Sequence, residues 1–265
     1  MKLLLLCLLL LSLFASAMHA NKILCLHGGG GSGDSFQYQQ GIQDLIQALP
    51  NWDFVFATSP ESGGLWINDP PGGGKEPTND RNWANASISY LDNFITSEGP
   101  FDAILGYSQG VPMSLVYIAT GSYSFHKVLL FNGYLPTTHN GLMSRINSYS
   151  LYEEETLIFL AENDYNFYQI GLELKTKFSN YTELVSATTE HALPTASDSQ
   201  FQAVVDFLSS SDSSGGGHGG TDSSQSFRLN IYQGSGLSEM NLIDSRVIQA
   251  PTNDQFFKAE IILSE

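Results

Sequence analysis

Residues 101–115 read FDAILGYSQGVPMSL. A short apolar run ends in Gly106-Tyr107-Ser108-Gln109-Gly110, and a second apolar segment of helical character follows. A buried strand needs no serine at its end, and flanking glycines cost backbone entropy. The pattern makes sense if the backbone turns sharply between strand and helix and holds the Ser108 hydroxyl out at the tip. That is the setting of a nucleophile elbow, in which the glycines let neighbouring backbone come close. The hydroxyl then sits beside a helix N-terminus, where amides and dipole favour negative charge.

The same strand-then-helix reading extends outward. Apolar runs at 22–26, 54–57, 103–107, 128–131, 157–161 and 184–185 read as strands. Amphipathic or apolar segments at 41–49, 84–96, 111–119, 167–178 and 199–208 read as helices. Alternation of this kind predicts an α/β fold with a mostly parallel central sheet flanked by helices. In such sheets ligands collect at the carboxyl ends of the strands.

A serine hydroxyl is a weak nucleophile until a base takes its proton, and the base needs a carboxylate to orient it. In this architecture the chain order is Ser, then Asp or Glu, then His. Asp164 follows the strand-like TLIFLAEN, and His191 lies in TTEHALPTA between the last strand and the last helix. The other histidines fit less well. His19 adjoins the leader, His126 enters a strand at the wrong end, His139 precedes any candidate acid, and His218 lies in a linker. A tetrahedral intermediate also needs two amide donors. The Gln109 N–H is one, and the Gly29 N–H in Leu26-His27-Gly28-Gly29-Gly30-Gly31 is the other expected donor. Gly28, Gly30 and Gly33 also match a dinucleotide-binding spacing. However, the following strand ends in Thr58-Ser59-Pro60, with no ribose-binding acid.

Of the 265 residues, 42% are hydrophobic and 14% charged, which is enough for one main globular domain. Residues 1–17, MKLLLLCLLLLSLFASA, carry the pattern of a secretory signal peptide, with cleavage after Ala17 or Ala20. The expected location is therefore outside the cell or in the lumen of the secretory pathway. Cleavage after Ala17 removes Lys2 and no acid, taking the net charge from −16 to −17. That balance argues against nucleic acid and anionic lipid as partners. No later stretch is apolar enough to span a membrane, and nothing in the sequence marks an oligomer interface. Cys25, in KILCLHG, reads as a small buried hydrophobe. Asn85 and Asn180 head N-glycosylation sequons. Residues 61–83 form a long Gly/Pro/Asn-rich loop in which Trp66 is an apolar group on a mobile support. Phe125 and Trp66 are candidates for lining an acyl site. Residues 209–226 are a Ser/Gly linker, and 227–265 contain the strand-like FRLNIY and KAEIIL in an extension of unknown role.

KILCLHGGGGSGDSF, Trp83 before SEGPFDAILGYSQG, then KVLLFNGY, AENDYN and EHALP together resemble the FSH-type serine hydrolases of the α/β-hydrolase superfamily. The resemblance covers residues 21–208. It implies an α/β-hydrolase domain that cleaves carboxylic esters or acyl thioesters without cofactor or metal. The triad carries over as Ser108 (nucleophile), His191 (general base and acid) and Asp164 (orienting the base). The expected partner is a small-molecule acyl ester or thioester. Two local departures stand out. Val111-Pro112 replace the small residues usual after the elbow. Thr189-Glu190-His191-Ala192-Leu193-Pro194 keep only the histidine and proline of the family pattern, which has glycines before the histidine. Acyl-protein thioesterases, through their Ser-Gln-Gly elbow, are the alternative resemblance. A catalytically silent secreted binding protein on the same scaffold is the alternative of a different class.

Overall fold

The computed structural model describes residues 21–73 and 76–210 in full, together with the backbone of strands 226–233 and 241–249. The signal-like residues 1–17, His19, His218 and KAEIIL lie outside the described residues.

Six strands form one wholly parallel sheet: β1 (Asn21–Leu26), β2 (Trp52–Ala57), β3 (Ala103–Tyr107), β4 (Lys127–Phe131), β5 (Glu155–Ala161) and β6 (Tyr181–Ser186). Their order is β2-β1-β3-β4-β5-β6. From β1 the chain goes to one side, then returns past β1 and proceeds to the other. A crevice therefore opens at the carboxyl ends of β1 and β3.

Successive strand residues face opposite sides. Leu24, Leu26, Ile104 and Leu130 pack on one face, beneath α3 (Asn85–Glu98) and α4 (Gly110–Thr120). Ile23, Cys25, Leu105 and Leu129 pack on the other, with α1 (Gly33–Gln37), α2 (Gln40–Ala48) and α7 (Phe201–Ser209). Both faces of β3 and β4 are buried, which is why these strands read as continuous apolar runs. Helix α4 is buried from Gly110 to Ala119, so it shows little amphipathic pattern.

Several expectations change on contact with the structure. The helix expected over 167–178 is two short pieces, α6 (Tyr168–Gly171) and a 3₁₀ turn (Leu174–Lys177). Gly171 weakens the helix and lies so close to β5 that a Cβ there would meet Leu160 Cδ2 at 2.7 Å. Two short helices went unrecognised: α1, and α5 (Asn140–Ile146). Helix α1 is closed by a capping box between Ser32 and Ser35. Trp66 is not on a mobile support: it is fully buried in the core and donates Nε1–H to the His27 carbonyl at 2.9 Å. Phe125 is also core, packed on Tyr117 just before β4, at the opposite end of the sheet from any acyl site.

The C-terminus of α7 is closed by Lys127, whose ammonium donates to the carbonyls of Phe207 (2.7 Å) and Ser210 (2.9 Å). Beyond the linker, β7 (Ser226–Gln233) and β8 (Asn241–Gln249) pair antiparallel in a separate two-stranded sheet. The strand at β8 was not anticipated.

Candidate active site

Ser108 ends β3 at φ = 52°, a left-handed conformation that is strained for a residue with a side chain. The turn is possible because its flanks are glycine. A Cβ at Gly106 would meet the Gly110 carbonyl oxygen at 2.6 Å, and one at Gly110 would meet that of Leu26 at 2.2 Å. The Ser108 amide donates to the Phe131 carbonyl at 3.0 Å, fixing the elbow to β4. Val111 fits because Gly133 faces it, where a Cβ would come within 2.2 Å of the Val111 Cβ. Pro112 falls in the first turn of α4, where its missing N–H costs nothing.

The residues expected from sequence to act together do meet. The Ser108 hydroxyl lies 2.9 Å from His191 Nε2, and His191 Nδ1 lies 2.5 Å from Asp164 Oδ2. The buried Asp164 accepts the Nδ1–H, which leaves Nε2 free to accept from the serine. Contacts on several sides hold the loop bearing His191. The Tyr107 hydroxyl donates to the His191 carbonyl at 2.6 Å, and Asn132 Nδ2 donates to that of Ala192 at 2.6 Å. The Phe167 ring stacks on the imidazole with centroids 4.5 Å apart. Burial, with the Asp164 charge adding to it, pushes the Tyr107 hydroxyl up to about 12, so it remains a donor.

The glycine loop after β1 lies beside the elbow, and a Cβ at Gly28 would sit 3.1 Å from Ser108 Cβ. The Gly29 and Gln109 amides donate to no acceptor among the described residues. His27 is buried behind this loop. It accepts the Ser59 N–H on Nε2 at 3.0 Å, so Nδ1 carries the proton and donates to the Gly28 carbonyl at 2.7 Å. Burial lowers the His27 pKa, opposed in part by that bond to Gly28. His139 is also structural, its Nε2–H donating to the Asn68 carbonyl at 2.9 Å. Burial pushes the Cys25 thiol well up, leaving it an inert core residue.

Sequence reasoning missed Tyr107, Asn132, Phe167, His27 and Asp198 as supports of the site. The only available signal was that Asn132 closes a strand next to the elbow's strand. A cavity of about 260 Å³ opens beside His191, walled by Gln39, Gln40, Tyr107 and Leu193 among others. Ser108 is not among the residues that wall it. Among the described residues no group of three or more His, Cys, Asp or Glu could hold a metal ion, and no helix is long and apolar enough to cross a membrane.

A parallel sheet with a serine elbow at one strand end, and an acid and a histidine at later ones, defines the α/β-hydrolase class. Within it, the chain belongs to the serine hydrolase (FSH1) family, whose model matches residues 62–203. Esterase alnB of Emericella nidulans is 36% identical over 106 residues, covering 37% of this chain and 36% of the relative. Esterase FUS5 of Gibberella fujikuroi is 32% identical over 110 residues, covering 35% of this chain and 46% of the relative. The matched stretches thus span less than half of either relative. Among solved structures, esterase PE8 superposes with a TM-score of 0.56 at 17% identity, covering 72% of this chain and 92% of that one. A carboxylesterase from Mesorhizobium loti gives 0.52 at 13% identity, covering 72% and 90%. At such identities these two likenesses establish the fold alone.

Proposed function

We propose that the protein is a secreted, cofactor-independent serine hydrolase that cleaves carboxylic esters or acyl thioesters. The observation that carries this reading is the continuous chain of contacts from Ser108 Oγ through His191 to Asp164, at 2.9 and 2.5 Å.

Ser108 Oγ adds to the acyl carbon while His191 Nε2 takes its proton. Asp164 keeps the imidazole in the right tautomer and stabilises the imidazolium. The negative charge moves to the carbonyl oxygen, which receives the Gly29 and Gln109 amides. Collapse of the tetrahedral intermediate breaks the bond to the leaving alcohol or thiol, and His191 supplies the proton that group needs. Water then adds to the acyl-enzyme with His191 as base, releasing the acid and restoring the serine. The esterase names of the relatives support the substrate class. The signal-like leader and the sequons at exposed Asn85 and Asn180 support passage through the secretory pathway. A mass loss on treatment with a glycan-releasing amidase would check the sequons.

The deciding experiment combines a fluorophosphonate probe with hydrolysis of p-nitrophenyl butyrate and octanoate, comparing wild type with Ser108→Ala. Labelling and turnover of the wild type, both lost in the variant, are the expected result. A folded wild type that is neither labelled nor active would favour a silent binding protein on this scaffold.

A further inference from the structure

Resting on that reading of the site, we propose that the Gln109 side chain is a positioning residue for the oxyanion-binding amides, acting through a strap formed by residues 64–67. Gln109 has two separable parts. Its main-chain N–H is one of the two amides left free at the elbow. Its side-chain amide bonds to the strap at both ends: Oε1 accepts the Trp66 N–H at 2.8 Å, and Nε2 donates to the Ile67 carbonyl at 3.0 Å.

The strap in turn holds the loop that carries the other amide. The Gly64 carbonyl accepts the Gly30 N–H at 2.9 Å, and the Trp66 indole donates to the His27 carbonyl at 2.9 Å. These two points lie on either side of Gly29. Gly29 faces both Leu65 and Gln109, since a Cβ there would lie 3.4 Å from Leu65 Cδ2 and 3.5 Å from Gln109 Cβ. From behind, His27 fixes the Gly28 carbonyl, which belongs to the same planar peptide as the Gly29 N–H. The strap is itself held to the body of the protein, with Trp66 fully buried and its carbonyl accepting the Ser87 hydroxyl at 2.7 Å.

The separation between the two free amides is therefore set by residues that touch no substrate. Oxyanion donors act only at hydrogen-bond distance from the charge that forms in the transition state. Releasing the strap lets Gly29 drift from Gln109, which weakens the transition state and leaves ground-state binding nearly intact. An amide side chain suits the position because the strap offers it one donor and one acceptor on adjacent residues.

The test uses the full mature chain with Gln109→Met, which keeps the shape and removes both bonds. Trp66→Phe releases the strap from its other end, and the double variant completes the cycle. The readouts are kcat and KM on p-nitrophenyl butyrate, and Ki for a trifluoromethyl ketone that forms a hemiketal with the serine. We expect kcat to fall about 10- to 100-fold with KM within about twofold. The ketone Ki should rise by the same factor as the loss in kcat/KM. The double variant should fall by less than the product of the singles, because both release one strap. If Gln109→Met does not fold, Trp66→Phe carries the same comparison. Unchanged kcat in folded variants would overturn the proposal, as would a loss carried entirely by KM with ketone affinity unaltered. An inert wild type would instead overturn the reading of the active site, and the strap proposal with it.

Discussion

The Asp198 carboxylate touches none of the reacting groups, yet it gathers four donors around the loop that carries His191. It accepts hydroxyls from Ser186, Thr188 (3.1 Å) and Thr189 (2.5 Å), and the Gln200 amide at 2.8 Å. Through the Thr188 and Thr189 hydroxyls, Asp198 ties down the stretch that leads directly into His191. Burial raises the Asp198 pKa, but the hydrogen bonds from Ser186, Thr189, Gln200 and Thr188 outweigh it and hold the carboxyl below its ordinary value. Asp198→Asn should lower stability by about 1–3 kcal/mol in urea denaturation, and ester turnover should fall with it. Because the folded pKa is depressed, the wild-type advantage is complete above the ordinary value of 3.8 and disappears as pH falls through the lower folded value. His27 gives a second pH dependence. It releases its proton more readily folded than unfolded, so its contribution to stability is complete above the ordinary 6.5 and is lost as pH falls below it. The melting temperature of wild type should therefore decline on that side of 6.5 relative to His27→Gln, and parallel curves would refute this. The meeting of Ser108, Asp164 and His191 was legible because acyl chemistry demands those residue types and this architecture fixes their chain order. Asp198 and His27 were not, because nothing local tells a hydroxyl-bonded acid or a tautomer-locked imidazole from a surface one.

At the scale of elements, the elbow is the most constrained piece of the chain. An alanine at Gly110 would put its Cβ against the Leu26 backbone, so β1 and α4 would have to separate. Gly110→Ala should cost about 3 kcal/mol and abolish ester hydrolysis. Gly63→Ala makes a useful control. Gly63 has positive φ, at 73°, unlike Gly110, but nothing lies within 4 Å of its Cβ position. It should cost only about 1 kcal/mol and leave turnover intact, as denaturation and steady-state assays would show. The long strands were legible because buried parallel strands are written as unbroken apolar runs. Short helices such as α1 and α5 were not, since five or seven residues hold too few turns for periodicity to register. The break after α6 depends on Gly171 meeting β5, a contact across the chain that periodicity does not contain.

Over the whole molecule, the net charge of −16 acts on anything charged that approaches. For acyl-CoA thioesters, kcat/KM should rise with ionic strength as the Debye length shrinks from about 30 Å to about 8 Å. The neutral p-nitrophenyl butyrate should show no such trend. A falling rate for the thioester would mean that a local basic patch overrides the global field. Composition, apolar runs and residue order determined the α/β class, the strand ends where chemistry gathers, and the three residues now in contact there. These properties are local or ordinal, and a sequence carries them directly. Only the tertiary structure decided that residues 64–67 are a strap, that Trp66 is core, and that Gln109 uses its side chain as well as its backbone. Those facts rest on hydrogen bonds between residues some forty positions apart. Such partners come together only once β1 and β3 lie side by side and bring their loops to one crevice.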